Sequence, residues 1–193
     1  MNRIIVLMVL VTAFAKAELS RAQKVEKEYR IDEVAVPQVA RDFIASFDVS
    51  RKIKWIQEVS DEGTSIEAKF KSSGTRYSIE FTESGMLEDL EVLVKMGDIG
   101  KIIRKNIENY LDTTFDYYKV EKVQAQYIDT PERILQWRAT DKKLRSLRPK
   151  YEIVLKARNS GSSAKRFEFL FDEEGIFIKK EQIIKRNDNI LRF

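Results

Sequence analysis

The strongest constraint on this chain is that part of it is written twice. Residues 76–95 open as Arg76-Tyr77-Ser78-Ile79-Glu80-Phe81-Thr82-Glu83-Ser84-Gly85, and residues 166–185 open as Arg166-Phe167-Glu168-Phe169-Leu170-Phe171-Asp172-Glu173-Glu174-Gly175. Six of the twenty aligned positions are identical, where chance gives about one. Tyr77/Phe167, Ile79/Phe169, Met86/Ile176 and Leu93/Ile183 also match in kind. A duplicated segment fixes architecture before any local propensity does, because each copy must reach the same packing solution.

Each copy is preceded by a helical pattern. Val36-Pro37 opens the first, with proline in the first turn where its missing N–H costs nothing, and Val39, Ala40, Phe43, Ile44 and Phe47 form one face. Asp98 reads as the N-cap of the second, followed by Ile99, Ile102, Ile103, Ile107, Tyr110 and Leu111. Period-two runs follow at 51–59, 64–71, 75–82 and 86–95, then at 117–128, 150–158, 165–172 and 176–185. Short turns ending in glycine separate most of them, as antiparallel hairpins require. The predicted fold class is therefore α+β: a tandem repeat of one helix plus a four-stranded antiparallel meander, with the two sheets side by side. Alternation aims Ile66, Ala68, Phe70, Tyr77, Ile79, Phe81, Phe167, Phe169 and Phe171 at the helices. Glu67, Lys69, Arg76, Ser78, Glu80, Glu152, Val154, Lys156, Arg166, Glu168 and Leu170 fall on the other face, which is left to water or to a partner. Trp55 shares parity with Ile53 and reads as core rather than as an exposed anchor.

Residues 1–17 read as a secretory signal: Arg3, an apolar run over 4–14, and Ala15-Lys16-Ala17 as the cleavage site. The run is shorter than the roughly 20 residues of a membrane span. The expected divisions are an N-terminal arm at 18–35, carrying a short strand near 29–34, a first unit at 36–96, and a second at 97–193. The chain has no cysteine, so its stability must come from packing. Losing Arg3 and Lys16 takes the formal net charge from +4 to +2, too small for a general nucleic-acid or membrane binder.

The charge is local. Residues 129–149 form an insertion in the second unit with no counterpart in the first, with Thr130-Pro131-Glu132 as a helix start. A competing register pairs Trp137 with Trp55 and makes 134–139 a strand. Trp137 and Arg138, then Lys142, Lys143, Arg145 and Arg148, are the candidate partner contacts, as aromatic anchor and basic tip. The alternatives are a tryptophan that pins the insertion to the sheet, and a solvated basic loop.

With no histidine and no cysteine, the chain excludes histidine triads, thiol nucleophiles and soft zinc sites. Asp61-Glu62 and Asp172-Glu173-Glu174 sit in hairpin turns and read as solvated turn residues rather than a calcium site or an acid–base pair. No glycine-rich phosphate loop is present. The expectation is no catalytic residue, no cofactor and no metal. Carboxylate chemistry would require two acidic side chains buried together in a cleft.

Val36-Pro37 through Phe47, then Lys54-Trp55, then Tyr77-Ser78-Ile79-Glu80-Phe81 and Gly85 resemble the PepSY-like secreted bacterial proteins, whose tandem units are similar to the β-lactamase inhibitory proteins. The resemblance implies a broad sheet surface that binds proteins, in the periplasm, with no catalytic residues. The expected function is thus a secreted, non-enzymatic binding module, an inhibitor or sensor acting on a periplasmic protein through its exposed sheet face. The alternative is an envelope structural or sensory protein holding a small ligand or anionic polymer between the two units.

Overall fold

The structure is a computed structural model that describes residues 23–24, 27–50, 52–60, 63–139 and 147–183. The signal-peptide reading at 1–17 and the insertion tip Lys142, Lys143 and Arg145 lie outside the described residues. Strand β1 (Gln23–Lys24) and β2 (Lys27–Arg30) lead to helix α1 (Gln38–Ala45) and strands β3 (Lys54–Ser60), β4 (Gly63–Ser72), β5 (Thr75–Thr82) and β6 (Leu87–Leu93). Helix α2 (Lys101–Thr114), β7 (Tyr117–Tyr127), helix α3 (Pro131–Ala139), β8 (Lys150–Arg158), β9 (Lys165–Phe171) and β10 (Phe177–Ile183) follow. The fold is α+β. The order of one helix and then four antiparallel strands occurs twice, with α3 lying between β7 and β8. The competing register for 134–139 is therefore not adopted: these residues are helical.

All the strands belong to one sheet, ordered β1-β10-β9-β8-β7-β6-β5-β4-β3-β2. The two four-stranded sets join through β6 and β7, antiparallel from Leu90↔Tyr127 to Leu93↔Gln124. The N-terminal arm departs from the expected lead-in by pairing at both edges. Lys24 pairs with Ile183 in parallel, and Lys27 pairs with Val59 antiparallel. Three residue steps reach at most about 11 Å, yet β1 and β2 stand nine strand spacings apart, about 43 Å if laid flat. The sheet must therefore curl until its edges come within reach of one short segment.

The apolar face carries the core. Ala40, Phe43 and Ile44 of α1, with Phe47 just beyond it, cover Ile66, Phe70, Ile79 and Phe81; Ile107 and Leu111 of α2 cover Ile153, Leu155, Phe169 and Phe171. Trp55 is core, as its parity predicts. Two expected core positions are exposed instead, Val39 at 56% and Ile102 at 78%, each in the first turn where the helix overhangs the sheet. Asp98 does not cap α2. It closes a 3-10 turn by accepting the Lys95 N–H at 2.9 Å, and Gly100 stands at the helix N-cap.

The duplicated stretches fall on the third and fourth strands of each set, and the glycine between them does the same work twice. Gly85 has φ +89° and Gly175 φ +80°, a region costly for other residues. A Cβ at Gly175 would lie 2.5 Å from the Ile103 carbonyl oxygen, and one at Gly85 would lie 2.7 Å from Pro37 Cβ and Val39 Cγ1. Each hairpin is thus pressed against the opening of its own helix. Gly161 has a similar φ with nothing within 4 Å. Gly175→Ala is expected to cost about 3 kcal/mol in urea unfolding and Gly161→Ala only about 1 kcal/mol. Equal costs for the two would show that the close approach contributes nothing.

Candidate functional site

The helix-free face of the sheet was expected to stand open. At its centre it does not: Glu67, Ser78, Asp89 and Gln124 are buried there, with Ile56 and Val154. The two hydrophobics are buried outside the main core cluster, which puts them on the inner side of the curl. Pairing lines the polar side chains into rows. Arg30, Ile56, Glu67, Glu80 and Asp89 run across β2 to β6, and Lys54, Lys69, Ser78, Glu91 and Gln126 across β3 to β7. Beyond the join come Gln124 with Glu152, and Lys122 with Val154 and Glu168.

This row of acids is short of counter-charge. Glu67 accepts from Ser78 Oγ and pairs with Lys69. The Lys122 ammonium lies 3.0 Å from Glu152 Oε1, and Ser65 Oγ donates to Glu80 at 2.6 Å. Asp89 and Glu91 have only amides: Gln126 Nε2 donates to Asp89 Oδ2 at 2.8 Å, and Gln124 Nε2 donates to Glu91 Oε2. Both amides reach across the β6–β7 join.

The protonation pattern follows. Burial alone would raise the Glu67 carboxyl, but the Lys69 charge and the hydrogen bonds it receives outweigh burial and hold it low. Burial works against the charged forms of Lys69 and Lys122 too, yet Glu67 and Glu152 respectively keep both ammoniums above their ordinary value. Asp89 is pushed up to about 7, by burial first and then by the Glu80 charge, with Gln126 opposing. Glu91 is pushed well above the carboxylate range by burial, Glu152 and Asp89. Lys69 and Lys122 pair with Glu67 and Glu152, so burial and like charge prevail at Asp89 and Glu91, at Glu91 against the opposing Lys122 charge. Gln124 is only 6% exposed, and its Oε1 has no hydrogen-bond partner. One acceptor in the row is thus left over.

Here two acidic side chains are buried together, the requirement set for carboxylate chemistry. The named carboxyls are each held by a neighbouring side chain of the chain itself. Among the described residues no group of acidic side chains could hold a metal ion. A cleft of about 330 Å³ does exist, but its lining comes from the far end of β8–β10 and contains none of these carboxyls.

Of the residues singled out in the insertion, Trp137 and Arg138 lie on the other face. Trp137 stacks on Tyr127 at 6.2 Å between ring centroids, and the Arg138 guanidinium sits 4.3 Å over the Phe47 ring. With Ile134 fully buried, these contacts hold α3 against the helix side of the sheet, the pinning alternative for Trp137. Arg148 pairs with Glu173, 3.7 Å away, and with Glu174. Asp89, Glu91, Lys122, Gln124 and Gln126 were not singled out. Carrying the alternation from Glu80 into β6 would have reached Asp89 and Glu91, had the register shift between Glu80 and Phe81 been known.

No family model matches this chain, and no curated protein does. Solved structures do. A Bacteroides eggerthii protein provisionally assigned to the periplasm superposes with TM-score 0.53 at 12% identity, over 79% of this chain and 93% of that one. A DUF2874 family protein of Bacteroides ovatus gives TM-score 0.51 at 14% identity, over 79% and 92%. A BLIP-like protein of Bacteroides fragilis gives 0.48 at 12%, over 81% and 92%. The first two establish a shared fold. Among the described residues no helix is long and apolar enough to cross a membrane.

A carboxyl whose pKa is raised on folding stabilises the protein below its unfolded value and withdraws that stability as pH rises through the folded one. For Asp89 the window runs from 3.8 to about 7, worth at most about 4 kcal/mol. The protein is expected to be more stable near pH 5 than near pH 8 in urea unfolding. Asp89→Asn is expected to flatten that dependence by gaining stability at pH 8. An unchanged slope in the variant would remove Asp89 from this role.

Proposed function

We propose that the chain is a secreted, non-enzymatic binding module of the bacterial envelope, an inhibitor or sensor that takes a protein partner on the polar face of its sheet. The observation that carries this reading is the acidic row at the β6–β7 join, where amides and not lysines hydrogen-bond Asp89 and Glu91 and both carboxyls are raised. Around that centre the same face turns basic, through Lys54, Lys71, Arg76, Lys150, Lys156 and Lys179. An acidic centre in a basic rim selects a partner that brings a lysine or arginine to the middle and acids to its edge.

The PepSY-like resemblance and the provisional periplasmic assignment of one fold relative support the envelope address. The insertion remains in the proposal as a second contact region, through Trp137, Arg138, Lys142, Lys143, Arg145 and Arg148. The alternative of a ligand between the two units has less support, because the cleft that exists lies away from the join.

Capture from periplasmic extract separates the surfaces. The mature chain, a Glu80→Gln/Glu91→Gln/Glu152→Gln variant and a chain lacking 129–149 are compared by mass spectrometry. A protein retained by the first and lost by the second is expected. Retention by the triple glutamine variant at the wild-type level would overturn the sheet-face reading, and loss only without the insertion would transfer the contact there.

A further inference from the structure

Helix α2 ends at Thr114, short of the far end of the strands it covers, and the space beyond it is the cleft of about 330 Å³. Its wall combines Phe115 and Phe167 with three cations, Arg158, Lys165 and Lys180, and contains no aspartate or glutamate. Among the described residues none of the three cations is in an ion pair. The Arg158 guanidinium lies 5.6 Å from the Tyr117 ring centroid, on the face away from Phe167, so Arg158 borders the hollow without aiming its charge into it; the Lys180 ammonium lies 5.7 Å from the Phe167 centroid. Two lysines, Lys165 and Lys180, thus stand at one hollow with no ion-pair partner among the described residues.

The turn that closes the cleft is built in advance. Asn159 Oδ1 accepts the Asp116 N–H at 3.1 Å, and Asn159 Nδ2 reaches the Thr114 carbonyl at 3.4 Å. Asp116 Oδ2 accepts both the N–H and the hydroxyl of Ser160, at 2.6 and 2.8 Å, and these bonds hold its carboxyl below the usual value. Asp116 is thereby committed to the turn, not to the cations. The carbonyl end of α2 brings about half a negative charge, less than the two lysines, and Asn159 covers part of it. Ser162, Ser163 and Gln182 complete the lining.

We propose that this cleft binds the oxyanion of an acidic sugar. A carboxylate, sulfate or phosphate would sit between Lys165 and Lys180, with the ring against Phe115 and Phe167. Charge-assisted hydrogen bonds from the two lysines recognise the oxyanion, and an aromatic floor suits the apolar face of a sugar ring. The site is separate from the acidic row and opposite to it in sign, so it stands or falls independently of the protein-binding reading.

The test uses the mature chain with three probes: a galacturonic acid trisaccharide, inorganic phosphate and the neutral sugar maltotriose, followed by calorimetry and amide NMR at low and high salt. Saturable binding of the acidic trisaccharide is expected, weakened by salt, with shifts centred on Ser162, Ser163 and Gln182. Lys165→Gln/Lys180→Gln should weaken it about tenfold or more with circular dichroism unchanged. Lys165→Gln alone, at an exposed position, serves should the double variant fold poorly. Equal binding of phosphate would support the oxyanion site and reject the sugar. Maltotriose binding as tightly, no saturable binding, or binding indifferent to Lys165→Gln would overturn the proposal.

Discussion

The structure depends on the pairing of β6 with β7 from Leu90↔Tyr127 to Leu93↔Gln124. Without that short ladder there would be two small meanders, each with a bare edge open to any strand that approached. With it there is a single sheet, and the segment from Gln23 to Arg30 then pairs at both remaining edges. The join is reinforced on its polar side by Gln124 to Glu91 and Gln126 to Asp89. On its apolar side Tyr127 takes the Trp137 ring, so the insertion rests over the same join.

Amides at this join have an electrostatic consequence. A lysine opposite Asp89 would have kept that carboxyl ionised, as Lys69 does for Glu67. A glutamine offers a dipole and not a charge, so burial and the neighbouring acids raise both carboxyls. The cost falls on stability at neutral pH. Residues that weaken the free protein there become explicable if a partner supplies the missing positive charge, because binding then recovers what folding gave up.

What the sequence made legible was periodic. The duplicated stretch, the hairpin glycines and the alternating faces located all eight meander strands and the buried set Ile66, Phe70, Ile79, Phe81, Phe169 and Phe171. What stayed hidden depended on where distant segments meet. Val39 and Ile102 obey the helical period yet are exposed, because period fixes direction and says nothing about where the sheet below ends. The arm's short strand was expected near 29–34 and lies at Lys27–Arg30, but its low apolar content gave no sign of pairing at both edges, which follows from the curl of the sheet. Burial of Glu67 and Asp89 is likewise a property of that curl; on alternation alone they are solvent-facing residues.

The small net charge therefore conceals a separation. Opposite signs collect at different places: carboxyls at the join on the polar face, and the lysines Lys165 and Lys180 at the end of α2. Charges of opposite sign placed at random on a curved sheet tend to find each other, as Arg166 finds Glu121 and Arg148 finds Glu174 here. Unpaired groups held apart by rigid strands retain their field, and screening at physiological salt limits that field to about 8 Å. Each collection then acts only on what enters it, so one sheet can present two surfaces of opposite preference without either weakening the other.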